Sequence, residues 1–309
     1  MKRLIITGAS GFLGQHFLHK LITKYEHYEI HAMYRTMEGF EDSVNDTIKE
    51  SNVKIFFATC DLTDPASISG YIQAHGTFDI CIHLAALSSP GTCEQDPDQA
   101  RALNVPTHLF NALGETPIVA LSTDQVYDGK TPVYLETDQV KPLNVYGATK
   151  VAMEEHLLAN SNYAVCLRSS IILGPLAPFG KAHSTFLHFC RSRETQETTF
   201  YIDEIRNVIA VENVVGILEW FCENGVTKQT RGVYNMGGKT RASRVDMALA
   251  VAMKCGYSPD GIISSKKADQ PAGLVLSPSD ISMESTALED LVGFEFHGLQ
   301  EIVSATFQS

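Results

Sequence analysis

Short apolar runs rich in β-branched residues alternate with helical stretches along most of this chain, and this alternation constrains the fold more than any other feature. It is typical of a parallel sheet covered by helices on both faces, because each crossover between parallel strands needs a long connection. The predicted strands span residues 3–7, 29–34, 54–59, 80–84, 118–122, 163–168 and 232–236. The predicted helices span residues 11–25, 65–74, 98–113, 144–159 and 211–224. The sequence therefore predicts the α/β class.

Two segments interrupt the alternation. Proline and glycine punctuate residues 174–206, and the regular pattern is lost again after residue 238. We predict a Rossmann-like, doubly wound parallel sheet built from residues 1–173 and 207–238. Residues 174–206 and 239–309 then form a smaller C-terminal substrate-binding cap. Ligands of open α/β sheets bind beyond the carboxyl ends of the strands, so the pocket is expected between cap and sheet.

Charge and cysteine content limit the functional classes. The 309 residues carry a formal net charge of -12, which argues against nucleic-acid or anionic-membrane partners and leaves a small-molecule substrate. The seven cysteines lack paired CxxC spacing, and the eleven histidines show no HExxH spacing, so we expect reduced thiols and no metal site. The first apolar run is too short for a secretory core or a membrane span. A cytoplasmic protein is expected.

A glycine-rich turn follows the first predicted strand and opens an amphipathic helix. Gly8, Gly11 and Gly14 recur every three residues there. Such glycines let backbone N–H groups approach a pyrophosphate and let the helix pack close to the strand. The alternative is an ordinary strand-to-helix turn. The predicted dinucleotide contacts in this loop are Gly8, Ser10, Gly11, Phe12, Leu13 and Gly14.

The end of the second strand bears on the choice of dinucleotide. An NAD site usually has a carboxylate there for the ribose 2'-hydroxyl, whereas this chain has Arg35. A guanidinium offers paired donors to a 2'-phosphate, so we predict NADP(H), with NAD as the second possibility. The alternative for Arg35 is a solvated surface charge. After the third strand, Asp61 and Leu62 are candidates to bracket the adenine, although a plain loop or N-cap Asp explains Asp61 nearly as well.

A phenol and an ammonium lie four residues apart in the predicted helix 144–159. Tyr146 and Lys150 therefore share one face of that helix. An unperturbed phenol titrates near pH 10, and a nearby cation favours its ionised form, so the pair suits proton transfer. Lys150 can also hydrogen-bond a nicotinamide ribose. Thr123 closes the fifth strand and can hold a substrate carbonyl, although a hydroxyl at a strand end also often turns the chain.

With these motifs in place, the chain resembles the extended short-chain dehydrogenases/reductases over nearly its whole length. The resemblance implies that Thr123, Tyr146 and Lys150 are catalytic, and that Asn104 supports an active-site water. It implies further cofactor contacts in the segment under the dinucleotide and in the strand beside the nicotinamide, residues 167–175. These contacts are Leu84, Ala85, Ala86, Ser169 and Ser170.

Within that family the chain is most similar to the dTDP-4-dehydrorhamnose reductase branch. Residues 122–129, 141–147, 232–238 and 277–283 carry this likeness, whereas the first glycine loop resembles the broader family. The branch implies NADPH-dependent reduction of a 4-keto group on a nucleotide-linked deoxysugar, with Tyr146 as general acid. The predicted substrate contacts are Ser88, Thr123, Asp124, Gln125 and Arg206. Arg206 could lie against a substrate phosphate, and the alternative is a surface salt-bridge run.

Other functions stay open at this point. The related dehydratases carry an Asp-Glu pair after the catalytic Thr, and Gln125 cannot act as that base, which disfavours dehydration. A sugar-nucleotide epimerase remains an alternative. So does a non-catalytic NADP-binding regulatory subunit similar to the methionine adenosyltransferase β subunit, which serves a partner enzyme. Pairing of helices 98–113 and 144–159 across a two-fold axis would give a homodimer.

Overall fold

The computed structural model describes residues 1–48, 53–180, 184–269 and 275–308. Its strands are β1 Lys2–Thr7, β2 Tyr28–Tyr34, β3 Lys54–Thr59, β4 Ile80–His83, β5 Ile118–Thr123, β6 Ala164–Ser169, β7 Ile172–Leu173, β8 Thr198–Tyr201, β9 Ile205–Asn207, β10 Ile209–Ala210, β11 Gly232–Met236, β12 Arg241–Ser243 and β13 Ile262–Ser265. Its α-helices are α1 Phe12–Lys24, α2 Phe40–Ile48, α3 Pro65–His75, α4 Pro90–Gln95, α5 Pro97–Asn104, α6 Thr107–Leu113, α7 Val145–Asn160, α8 Phe186–Ser192, α9 Val211–Asn224, α10 Arg244–Cys255, α11 Thr286–Val292 and α12 Leu299–Thr306.

Seven strands form one parallel sheet in the order β11-β6-β5-β4-β1-β2-β3. All seven predicted strands are confirmed, and their ends differ from the prediction by one residue at most. Within β1, Leu4 and Ile6 join one buried cluster while Ile5 joins another, so helices cover both faces. The predicted Rossmann-like, doubly wound sheet is confirmed. Strand order reverses between β1 and β4, which is where such sheets bind ligands.

One predicted helix is wrong. The chain over residues 98–113 forms two helices, α5 and α6, with Pro106 between them. Proline lacks the backbone N–H that a helix interior requires, and its ring disfavours helical geometry at the residue before it. The other four predicted helices are found as α1, α3, α7 and α9.

Residues from both predicted cap segments pair with each other. Strand β9 pairs antiparallel with β12, and β8 pairs parallel with β13. Helices α8 and α10 pack together over a separate apolar cluster that includes Leu187, Phe200 and Val251. Leu288 and Val292 of α11 join a cluster of the main sheet instead. These contacts support the proposed two-part cap, although its boundaries stay a prediction.

Every cysteine of the chain is a free thiol in the structure. Six of them are buried, and Cys255 is partly buried, which fits the expected reduced thiols. Within the four described ranges, no helix is both long and apolar enough to cross a bilayer.

Candidate active site

A cleft of about 820 Å³ opens at the carboxyl ends of the strands of the main sheet. It brings together most of the residues predicted from the sequence. The predicted residues that line it are Gly8, Ser10, Gly11, Phe12, Leu13, Gly14, Arg35, Leu62, Leu84, Ala85, Ala86, Ser88, Thr123, Asp124, Gln125, Tyr146, Ser169, Ser170 and Arg206. Asp61, Asn104 and Lys150 are not among the lining residues.

The glycines of the first loop let its backbone pack closely against neighbouring backbone. Gly8 has a φ of +72°, and a Cβ there would lie 2.8 Å from the backbone nitrogen of Ala85. Gly11 is the N-cap residue of α1 and supplies no side-chain cap, so the first N–H groups of that helix stay available. An uncapped helix N-terminus behind a glycine turn suits a pyrophosphate. The loop therefore fits a dinucleotide.

Replacement of Gly14 should distort the glycine loop and weaken dinucleotide binding. A Cβ at Gly14 would lie 2.2 Å from the carbonyl oxygen of Gly8, so Gly14→Ala must displace the loop backbone. We expect NADPH affinity, measured by fluorescence titration, to fall by about tenfold or more. The control is Gly70→Ala in α3, where an added Cβ meets nothing within 4 Å. Equal affinities in the two variants would contradict the expected role.

Helix α7 carries the predicted acid. Asn144 caps the helix by accepting the Gly147 N–H at 2.8 Å, which places Tyr146 in the first turn. Tyr146 is 8% exposed. Burial raises its pKa above the ordinary value, while a hydrogen bond with Thr123 acts in the opposite direction. The phenol therefore holds its proton at neutral pH and sits beside the Thr123 hydroxyl.

One turn later, Lys150 is 1% exposed. Its ammonium nitrogen lies 3.2 Å from Met153 Sδ, and no oxygen among the described residues accepts a hydrogen bond from it. Burial lowers the pKa of Lys150 to about 8, although the nearby Glu154 opposes that shift. A buried ammonium without an oxygen partner fits a site that gains acceptors from a bound ligand.

Asn104 is fully buried, and its side chain bridges two parts of the site. Its Oδ1 accepts the Leu87 N–H at 2.7 Å, and its Nδ2 donates to Thr149 Oγ1 at 2.9 Å. It therefore ties the loop after β4 to helix α7. The role of Asn104 in supporting an active-site water stays a prediction.

Of the three residues predicted at the adenosine end, Arg35 and Leu62 line the cleft and Asp61 does not. Arg35 is exposed, lines the cleft and forms no ion pair with any other residue that the structure describes. Asp61 is also exposed, and its carboxylate accepts the Thr63 N–H at 2.8 Å and the Thr63 hydroxyl at 2.7 Å. That is the plain-loop geometry considered from the sequence, and Asp61 stays a prediction as an adenine contact.

Asp124 is buried and lines the cleft. It accepts a hydrogen bond from Ser170 at 3.1 Å and lies 3.8 Å from the Nε of Arg206. Burial raises its pKa, and Arg206 is the largest opposing influence. The carboxylate therefore belongs to a buried pair rather than standing alone.

Arg206 is 3% exposed, so the alternative of a surface salt-bridge run is wrong. Its terminal nitrogens are engaged by neighbouring oxygens, which leaves little hydrogen-bonding capacity for a substrate phosphate. Those acceptors are Ile205 O at 2.7 Å, Ser279 O at 2.9 Å, Pro278 O at 3.0 Å and Ser277 Oγ at 3.1 Å.

Arg244 is a cleft residue that the sequence reasoning missed. Its Nε and Nη2 both donate to Glu204 Oε1, at 3.0 and 2.8 Å, while its buried Nη1 has no partner. In the sequence, the capping box of Ser243 and Asp246 indicates a helix that starts at Arg244, and this was the available signal for that residue. Only the pairing of β12 with β9, however, brings Arg244 to the cleft.

No group of three or more His, Cys, Asp or Glu side chains within the described ranges is arranged to hold a metal ion.

Comparison with known proteins agrees with this architecture. Methionine adenosyltransferase 2 subunit beta of Danio rerio is 27% identical over 294 residues, covering 93% of this chain and 84% of that protein. A dTDP-4-dehydrorhamnose reductase of Aggregatibacter actinomycetemcomitans is 26% identical over 307 residues, covering 96% of this chain and 95% of that protein. The structure of the dTDP-4-dehydrorhamnose reductase of Bacillus anthracis in complex with NADP has a TM-score of 0.77 at 20% identity, with 98% of each chain covered.

A family model matches the full length of the sequence. Residues 1–309 match the family described as the RmlD substrate binding domain. This confirms the family resemblance drawn from the motifs at Gly8–Gly14, Thr123 and Tyr146–Lys150. The chain belongs to the RmlD substrate binding domain family.

Proposed function

We propose that this protein is an NADPH-dependent oxidoreductase that reduces the 4-keto group of a nucleotide-linked deoxysugar. The observation that carries the proposal is that one cleft joins a dinucleotide-type glycine loop to the Thr123 and Tyr146 hydroxyls. The related reductase of Aggregatibacter actinomycetemcomitans supports the substrate class. NADPH supplies the hydride when bound.

The chain's own groups have distinct tasks in this proposal. Thr123 and Tyr146 hold the substrate carbonyl oxygen, and the Tyr146 hydroxyl gives it a proton. A buried phenol with a raised pKa is protonated at neutral pH, which a general acid requires. The Lys150 ammonium stabilises the phenolate that remains and can donate to the ribose. Asn104 ties the loop after β4 to α7, and Asn144 caps α7, the helix that carries Tyr146 and Lys150.

The proposal is tested by single-turnover oxidation of NADPH with dTDP-4-keto-6-deoxyglucose. We expect NADPH absorbance to decay with the keto sugar and to persist when dTDP-glucose replaces it. Product analysis should show a hydroxyl at C4. Failure of the keto sugar to oxidise bound NADPH would refute the proposed activity.

Arg35 should set the preference for NADPH over NADH. It lines the cleft at the end of β2, where it can pair with a 2'-phosphate. Arg35→Ala should weaken NADPH binding by about tenfold and leave NADH binding unchanged. Fluorescence titrations with both dinucleotides measure this, and Arg101→Ala on the exposed face of α5 is the control. A parallel loss of affinity for both dinucleotides would contradict the proposed 2'-phosphate contact.

A second candidate function has a specific observation in its favour. The relative from Danio rerio is a subunit of methionine adenosyltransferase and matches 93% of this chain. As a regulatory subunit, this protein would bind NADP and a partner enzyme without turning over a keto sugar. Stable co-purification with a methionine adenosyltransferase, together with no oxidation of NADPH by keto sugars, would favour this function over the reductase.

A further inference from the structure

Gln125 lines the cleft two residues after Thr123, and its position is fixed by the backbone around it. Its N–H donates to Thr123 Oγ1 at 3.2 Å. Its carbonyl lies so close to α7 that a Cβ at Gly147 would meet it at 2.3 Å. The side chain therefore starts next to both proposed carbonyl-binding hydroxyls, on a segment with little freedom to move.

The hydrogen-bond partners of Asn144 determine which way the Gln125 amide faces. Asn144 Oδ1 accepts the Gly147 N–H, and a backbone N–H can only donate. Asn144 Nδ2 must then be the donor on its other side, where it meets Leu276 O at 3.0 Å and Gln125 Oε1 at 2.8 Å. Because Gln125 gives its oxygen to Asn144, its Nε2 faces away from Asn144. No described residue accepts a hydrogen bond from that nitrogen.

We propose that Gln125 is a specificity-determining residue that presents its Nε2 donors to the substrate, in an orientation imposed by Asn144. This inference rests on the proposed function. A carbonyl oxygen next to Thr123 and Tyr146 offers only lone pairs and satisfies the Nε2 donors, whereas a hydroxyl hydrogen that points at Nε2 meets a second donor instead of an acceptor. The cleft thus favours the ketone over the corresponding alcohol through a residue outside the proton-transfer pair.

Two variants should turn an acceptor toward the substrate in place of the Gln125 donor, each in a different way. Gln125→Glu replaces the donor with an oxygen at nearly constant volume. Asn144→Asp keeps an oxygen to cap α7 but removes the Nδ2 donor, so the Gln125 amide must rotate and turn its oxygen toward the cleft. Asn144 is not among the residues lining the cleft, and Asp at this position keeps the oxygen that caps α7, so we expect its effect on the substrate to pass through Gln125.

The test measures dissociation constants in complexes that cannot turn over. dTDP-4-keto-6-deoxyglucose is titrated with NADP+ present, and dTDP-6-deoxyglucose, which differs only at C4, with NADPH present. We expect both variants to shift the ketone-to-alcohol affinity ratio toward the alcohol by about tenfold or more. Controls with the same charge change are Gln99→Glu on α5 and Asn160→Asp at the far end of α7, which should keep the wild-type ratio. A wild-type ratio in Asn144→Asp overturns the inference.

Side-chain amide NMR of the substrate-free, NADP-bound protein separates this inference from the proposed function. The Asn144 amide protons should exchange slowly with water, while those of Gln125 should exchange like exposed amides and shift when the ketone is added. Protected Gln125 protons in the substrate-free protein would overturn the proposed orientation even if NADPH is oxidised by the keto sugar. The converse result, exposed Gln125 protons without any hydride transfer, would refute only the reductase.

Discussion

Tyr146→Phe should slow single-turnover oxidation of NADPH by the keto sugar by about 10² to 10⁴-fold, because the variant removes the one proton that the proposed acid supplies. The buried hydroxyl of Tyr146 lies beside Thr123, and the rest of its ring packs against Cys93 and Ala100. Phenylalanine preserves that packing. The loss should therefore appear in the chemical step, with NADPH affinity unchanged.

Tyr163→Phe is the matched control, because the Tyr163 ring packs beside the main sheet and its hydroxyl makes no hydrogen bond with any residue in the described ranges. Its single-turnover rate should equal that of the wild type. If Tyr146→Phe also retains the wild-type rate, Tyr146 is not the acid, and the protonation step in the proposed function is wrong. Equal losses in both variants would instead indicate a general effect of removing a phenol.

Local sequence patterns were enough to predict the sheet and the edge of the sheet at which the cleft opens. Most strands of the sheet are buried apolar runs, although β3 and β11 are largely half-buried. Parallel strands present their carboxyl ends at the same edge, so Thr123 and the glycine loop had to meet there. The error at residues 98–113 has a local cause. Pro106 lies between α5, which ends at Asn104, and α6, which begins at Thr107, and the apolar pattern continues past it without showing the break.

The cap side of the cleft could not be predicted in the same way. Arg244 reaches the cleft through the antiparallel pairing of β12 with β9, two short strands from distant parts of the chain. Arg206 was predicted as a phosphate ligand, but its donors are engaged by the 277–279 segment. Such outcomes depend on long-range contacts between irregular segments, and neither periodicity nor spacing records these contacts.

A buried ion pair under the site joins the elements that carry its chemistry. Glu154 of α7 and Arg168 of β6 are 5% and 7% exposed, and Arg168 Nη2 lies 2.8 Å from Glu154 Oε2. Arg168 Nε bonds both oxygens of the carboxylate, and the Ser122 hydroxyl of β5 donates to one of them. The helix that bears Tyr146 and Lys150 is thereby held to the strand that ends at Thr123.

Glu154→Gln should lower the free energy of unfolding by about 3–5 kcal/mol, because it leaves the Arg168 guanidinium charged and buried without its counter-ion. Urea unfolding measures the change. Glu155→Gln is the control, since that carboxylate is the next residue on α7 but is exposed, and its loss should cost no more than about 0.5 kcal/mol. Similar losses in the two variants would show that the pair does not hold α7 to the sheet.

The size of that loss reflects the charge left behind more than the strength of the pair. Taking both ions out of water already costs free energy that their attraction only partly offsets, so an apolar pair of similar volume can be as stable. The double variant Glu154→Gln with Arg168→Met removes the stranded charge, and it should unfold with a smaller loss than Glu154→Gln alone. A double variant less stable than the single one would mean that Arg168 stabilises the fold mainly through its other contacts, the Tyr127 hydroxyl at 2.8 Å and the Glu136 carbonyl at 3.2 Å.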